Sequence, residues 1–243
     1  MDRRIALFLA LGFLAGLGVQ GLAGAPAPAV PASPSDDVAI ERFLTEVEKP
    51  PVAYRALRRL EASSTKLKES AWMEATTEYD PENGFRYSVV AQGGSDRIRR
   101  RVLEAVLEAE QENATHGQWR KANLSRANYE FDFGGDAGDG MLIMRLTPRR
   151  RDPRLVLGSA LVTATSGNLV RVEGRLSKSP SFWVRWVNVS RTYSPIAGAM
   201  MPVAIESTAN VRIAGMSTFS MTYDYQHVDG QAVNASAIMS AAR

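Results

Sequence analysis

From about residue 127 onward, apolar and polar residues alternate with a period of two. "NYEFDF" sets Tyr129, Phe131 and Phe133 against Asn128, Glu130 and Asp132. "NLVRVEGRL" sets Val170, Val172 and Leu176 against Arg171, Glu173 and Arg175. "PVAIESTANVRI" sets Val203, Ile205, Val211 and Ile213 against Glu206, Thr208, Asn210 and Arg212. "STFSMTYDYQHV" sets Phe219, Met221, Tyr223 and Tyr225 against Thr218, Ser220, Thr222 and Asp224. This period marks strands with one covered face and one wet face. "MLIMRLTP", "RLVLGSALVTA" and "FWVRWVNVSRTY" add further strands. "GGDAGDG", "TSGN", "SPIAG" and "AG" connect them. Such short connections predict antiparallel meander pairing, and the lack of an intervening helical pattern excludes βαβ winding.

The earlier part of the chain reads differently. "SDDVAIERFLTEVEKPP" predicts a helix with Val38, Phe43, Leu44 and Val47 on one face, stopped by Pro50 and Pro51. "VAYRALRRLEASS" reads as a second short helix, with Tyr54, Leu57 and Leu60 on one stripe. "KLKESAWMEATTEYD", the turn "PENG" and "FRYSVVAQ" form a hairpin punctuated by Asp80-Pro81 and Asn83-Gly84. After Gly93 and Gly94, Ser95 or Asp96 caps a helix over residues 95–113. Its apolar stripe is Ile98, Val102, Val106 and Ala109, widened by Leu103 and Leu107.

Together these elements predict an α+β fold: a large curved antiparallel sheet with helices covering its concave apolar face. The sheet is a half-barrel meander of about nine strands, a width at which sheets curl or split. "FWVRWVNVSRTY" departs from clean alternation. Trp183, Arg185, Val187, Val189, Arg191 and Tyr193 share one face; Phe182, Val184, Trp186, Asn188, Ser190 and Thr192 share the other. Arginine stems can lie over its aromatic rings. One long helix and two short ones are too few to fill a full-width concave face, so an incompletely closed apolar space is expected there.

The first residues predict targeting rather than fold. Arg3 and Arg4, an apolar run from Ile5 to Val19 and a small-residue end read as a secretory signal over residues 1–23, cleaved after Ala23. An uncleaved membrane anchor is the alternative, since the run from Ile5 to Ala23 is just long enough to span a bilayer. Residues 24–37 are a Pro/Ala-rich spacer. Residues 38–230 are read as a single half-barrel domain and residues 231–243 as a loose C-terminal tail. A periplasmic or secreted location follows.

Composition narrows the chemistry. The chain has 243 residues, a formal net charge of +3, no cysteine and two histidines, His116 and His227. The absence of cysteine excludes disulfides, thiol nucleophiles, thiolate metal sites and a bacterial lipobox. The charge is too small to argue for nucleic acid, and "RIRRR" and "RRRDPR" read as solvated surface. "GGDAGDG" lacks the following helix of a phosphate loop and the acid ladder of a calcium loop. "GSALV" lacks the nucleophile elbow. In "TYDYQH", alternation sends Tyr223, Tyr225 and His227 to the covered face as a core stripe. No catalytic residue, metal site or cofactor is expected.

"SGNLVRVEGRLSKSPSFWVRWVNVSRTY" followed by "GAMMPVAIESTANVRIAGMSTFSMTYDYQHV" resembles the LolA-type lipoprotein-carrier superfamily. The resemblance lies in a strand of the "G-x-L-x-R-V-E" kind and a later "M-P-x-x-I" strand, set in a long meander with a helix inserted after the first hairpin. It extends over residues 38 to about 229. The resemblance implies a curved half-barrel, a helical lid and a cavity for acyl chains. The arginine with which some members hold the lid shut has no assignable counterpart here. The expected function is a non-enzymatic, membrane-proximal carrier for a lipid, an acylated protein or a similar apolar ligand. The candidate lining is Tyr129, Phe131, Leu142, Met144, Val184, Trp186, Val203, Ile205, Phe219, Met221 and Tyr223. The alternative is an envelope interaction or sensor module using the exposed part of "FWVRWVNVSRTY" on a protein partner.

Overall fold

A computed structural model describes residues 34–47, 52–115 and 121–233. The expected signal, most of the spacer, His116 and most of the expected tail lie outside these residues. The chain runs α1 (Pro34–Val47), β1 (Tyr54–Ser64), β2 (Glu69–Asp80), β3 (Gly84–Gly94), α2 (Asp96–Ile98), a π-helical segment (Arg99–Glu104) and α3 (Ala105–Thr115). Then come β4 (Tyr129–Gly138), β5 (Met141–Pro148), β6 (Val156–Thr163), β7 (Leu169–Leu176), β8 (Val184–Ile196), β9 (Ala199–Val211), β10 (Gly215–Val228) and a short β11 (Gln231–Ala232).

The strands form a single open antiparallel sheet in the order β3-β2-β1-β10-β9-β8-β7-β6-β5-β4, with β11 beside β10. The protein is thus mostly β, and the expected meander from β4 to β10 is present. The expected second helix is instead β1. Ala56, Arg58, Leu60, Ala62 and Ser64 all face inward from it. The arginine on the inward face hid the period of two. This strand joins the two parts of the sheet, with Leu60 opposite Met221 on β10 and opposite Met73 on β2.

The β2–β3 hairpin closes as predicted, with Asp80 paired to Gly84. The Asp80 carboxylate accepts from the backbone N–H groups of Glu82 (2.8 Å) and Asn83 (3.0 Å), an Asx-type turn that the "DPENG" run specifies. Gly94 ends β3 at φ +84°, and a Cβ there would lie 2.3 Å from the Ser70 carbonyl oxygen. No other residue fits that approach. Ser95 then caps α2, its hydroxyl accepting from the N–H of Ile98 and donating to Glu69 at 2.7 Å.

Strands β3 and β4 are the two edges of the sheet, so the helical connection between them must pass from one edge to the other. Along it, Ile98, Leu103, Val106 and Leu107 are buried and join the same apolar cluster as Leu60, Met73, Phe219 and Met221. On α1, Ile40, Phe43 and Leu44 join it too, and Phe43 meets Phe131 of β4 edge to face at 5.7 Å.

Bulges interrupt the alternation in β3, β4, β7, β8, β9 and β10. In β8 the register shifts between Val184 and Trp186. Val187, Val189, Arg191 and Tyr193 therefore face the core, while Trp186 is half-buried beneath Arg175. A shift opposite Thr192 and Tyr193 leaves Val203 of β9 half-buried, and Ile213, beyond the end of β9, is exposed. In the β1–β10 pair, Arg55 lies opposite His227 but Ala56 opposite Tyr225. That extra residue turns His227 outward and Val228 inward, so the expected inward His227 is corrected by a bulge that alternation cannot foresee.

Candidate functional site

Beside the packed cluster lies a cavity of about 710 Å³, within the usual size range for small-molecule sites. It is framed by the end of α1 (Glu46, Val47), β1, α3, the β6–β7 turn, and the hairpin of β8 and β9. Its apolar wall includes Val47, Val52, Leu124, Leu169, Met201 and Ile205. The hairpin turn enters at Ala197 and Gly198, both at positive φ.

The polar wall is built around Arg58. This guanidinium is fully buried, and Glu110 of α3 is 7% exposed. The two meet in a fork, Nη1 to Oε2 at 2.6 Å and Nη2 to Oε1 at 3.0 Å. Nη2 also donates to the Tyr54 hydroxyl. The guanidinium carbon lies 4.5 Å from the Tyr223 ring centroid and 5.0 Å from that of Phe85. Burial alone would lower the Arg58 pKa, but the Glu110 carboxylate beside it holds it well above the ordinary value. Arg58 is therefore a charged group that is desolvated and walled by π faces, an arrangement in which its fork to Glu110 is strongest. It connects β1 to α3 across the cavity wall.

A second polar group comes from β8, where Arg191 is 7% exposed and hydrogen-bonds Tyr193. Tyr223 and Tyr225 stack with centroids 5.8 Å apart, and the Tyr225 hydroxyl donates to the Pro202 carbonyl at 2.7 Å. Burial raises the phenol pKa of Tyr54, Tyr193, Tyr223 and Tyr225. These hydroxyls are therefore neutral hydrogen-bonding groups at neutral pH.

Of the residues expected to line a cavity, Ile205 and Tyr223 do so. Tyr129, Met144, Val184, Phe219 and Met221 are buried in the packed cluster. Phe131, Leu142 and Val203 pack against it half-buried. Tyr129 accepts from the Val156 N–H at 2.9 Å, a structural bond that closes the start of β6. Trp186 lies on the opposite face from Val187, for the reason given by the β8 bulge.

Sequence reasoning missed Arg58, Glu110, Arg191 and Tyr193. Arg58 carried a signal: it alternates in step with Ala56, Leu60 and Ala62. Glu110 carried one as well, lying three and four residues after Leu107 and Val106 on the apolar stripe. Opposite charges on two faces that must both be covered point to a buried pair. His227 is exposed, and among the described residues no group of three or more His, Cys, Asp or Glu could hold a metal ion.

No family model matches the chain, and no curated protein matches it. Among solved structures it is similar to a DUF1329 family protein from Desulfovibrio piger ATCC 29098. That likeness has 10% identity and a TM-score of 0.34, over 78% of this chain and 90% of that one.

Proposed function

We propose that the protein is a non-enzymatic binding or carrier protein of the cell envelope. Its ligand would be a lipid, a lipoprotein acyl chain or a similar apolar molecule. The cavity beside the sheet carries this reading. Its wall joins aliphatic and methionine side chains, including Met200 and Met201, to a neutralised ion pair. Methionines adapt to chains of different shape. Each methylene transferred from water contributes about 0.8 kcal/mol, so an acyl chain needs no catalytic group to be held. In this reading the sheet is a curved half-barrel, α1 and the helical segment over residues 96–115 cover its concave side, and Arg58 with Glu110 fastens that cover. The apolar segment at residues 5–23 would direct the chain to the envelope.

Native mass spectrometry of protein purified from membranes is expected to show a bound lipid. Ile205→Trp, which fills the cavity, should reduce its occupancy at least about tenfold, because the added ring takes the volume the chain needs. Repeated preparations with no adduct, or an adduct indifferent to this substitution, would refute the assignment.

A further inference from the structure

The turns of an antiparallel sheet fall at its two ends, and here the ends differ in charge. One end gathers residues 65–68, the start of α2, and residues 121–128, 149–155, 177–183 and 212–214. These segments form a continuous rim. Lys66 N–H donates to the Ala214 carbonyl, and Arg212 N–H to that of Trp183. Ser177 N–H donates to Leu155, and Arg150 reaches the Lys121 carbonyl at 2.6 Å. The rim carries both arginine runs, "RIRRR" and "RRRDPR", together with Lys66, Lys68, Lys121, Lys178 and Arg212. Its acids are Glu69, Asp96 and Asp152, each in an ion pair with a neighbouring arginine. At the opposite end the turns carry Asp80, Glu82, Asp139 and Asp229 and, among the described residues, no lysine or arginine of their own; Arg42 of α1 reaches one of them, at the Ala164 carbonyl.

The basic rim also carries exposed apolar groups. Phe182 is 73% exposed, Trp183 39% and Ile213 40%. Phe182 and Trp183 meet edge to face at 5.5 Å, and the Arg212 guanidinium lies 4.6 Å from the Phe182 ring centroid. Exposed aromatic rings among lysines and arginines match the interface of an anionic bilayer: headgroup phosphates meet the cations, and the rings enter the headgroup layer. A soluble acidic partner would account for the charge but not for an uncovered phenylalanine at the tip.

We infer that this end of the sheet docks on an anionic phospholipid surface. Docking there leaves the turns beside the cavity, including Ala197 and Gly198, at the end remote from the bilayer. The two share only the buried Leu124 of residues 121–128, so docking through the exposed rim groups does not depend on the cavity's occupant.

The chain from Gly24 onward omits the apolar run at residues 5–23, and circular dichroism matching that of the full chain establishes that it is folded. This chain is sedimented with vesicles of phosphatidylglycerol and phosphatidylcholine, and with phosphatidylcholine alone. Binding is expected on the anionic vesicles, at least about tenfold weaker on the neutral ones, and lost in high salt. The triple variant Lys66→Glu, Lys178→Glu, Arg212→Glu should weaken it at least about tenfold, as should Phe182→Ser with Trp183→Ser. Glu82→Lys with Asp139→Lys, at the other end, should leave rim binding intact. Circular dichroism reports whether each variant is folded. Absence of binding to anionic vesicles by the folded chain, or equal binding by a folded triple variant, overturns the inference. Envelope crosslinking to an acidic protein without vesicle binding would assign the rim to that protein instead.

Discussion

Arg58 shows how a single side chain can sit against its usual preference. A guanidinium is rarely buried unless it is paired and its donors are used. Here Glu110 takes a fork of two bonds, Tyr54 takes another, the rings of Tyr223 and Phe85 flank the guanidinium, and Nε is left without a partner. Removing one partner leaves the other charge desolvated. Arg58→Ala and Glu110→Ala should therefore each cost about 3–5 kcal/mol in urea unfolding. The double replacement Arg58→Met with Glu110→Leu should recover most of that loss, since an apolar pair of similar volume needs no compensation. Single losses no larger than those of an outer-face pair would mean that water reaches the site. Residue type was readable in the sequence, but pairing was not, because Arg58 and Glu110 are separated by a hairpin and a helical turn.

At the scale of elements, the hairpin, the first helix and the strands from β4 to β10 follow from periodicity and turn residues. The exception is β1, where "YRALRRL" satisfies a helical stripe and a strand equally well. Pairing with β10 decides in favour of the strand, a contact across most of the chain. The helical segment over residues 96–115 is instructive in its charges. Its basic beginning and acidic end oppose the helix dipole, yet Asp96 pairs with Arg99 and Arg100, Arg97 with Glu69, and Glu110 with Arg58. Its π-helical turn, an uncommon geometry often placed at functional sites, offers a point of adjustment. Amide hydrogen exchange over residues 95–113 should be faster than in the strands between residues 168 and 226, and should slow when an apolar ligand is added. Exchange as slow as in those strands, with and without ligand, would make this segment fixed core.

For the molecule as a whole, burial of tyrosine sets a limit at alkaline pH. All seven phenols have raised pKa values, chiefly through desolvation, and Tyr129 is pushed up to about 12. The fold holds the proton more tightly than the unfolded chain does. This stability is fully present below the ordinary phenol value near 10 and is lost as pH rises through the folded values. Each of the five deeply buried phenols, Tyr54, Tyr129, Tyr193, Tyr223 and Tyr225, contributes a slope of about 1.4 kcal/mol per pH unit between the two values, and the more exposed Tyr79 and Tyr87 contribute little. Absorbance at alkaline pH should show little phenolate near pH 10, then a cooperative rise coincident with loss of circular dichroism. Independent titration of the buried tyrosines near pH 10, with the sheet intact, would contradict their burial.

The sequence by itself determined the antiparallel strand meander, the helix after the first hairpin, the turn chemistry at Asp80 and the exclusion of thiol chemistry. These follow from neighbours a few residues apart: period, turn residues and composition. Tertiary structure alone decided three things. It turned β1 into the strand joining the two parts of the sheet, and bulges chose which residues of β8 and β10 face inward. It also brought two arginine runs, four lysines and an exposed aromatic pair to one end of the sheet. The physical reason is common to all three. Strand pairing, bulge placement and the summed field of a surface depend on residues far apart in the chain, and a small net charge says nothing about where the charges lie.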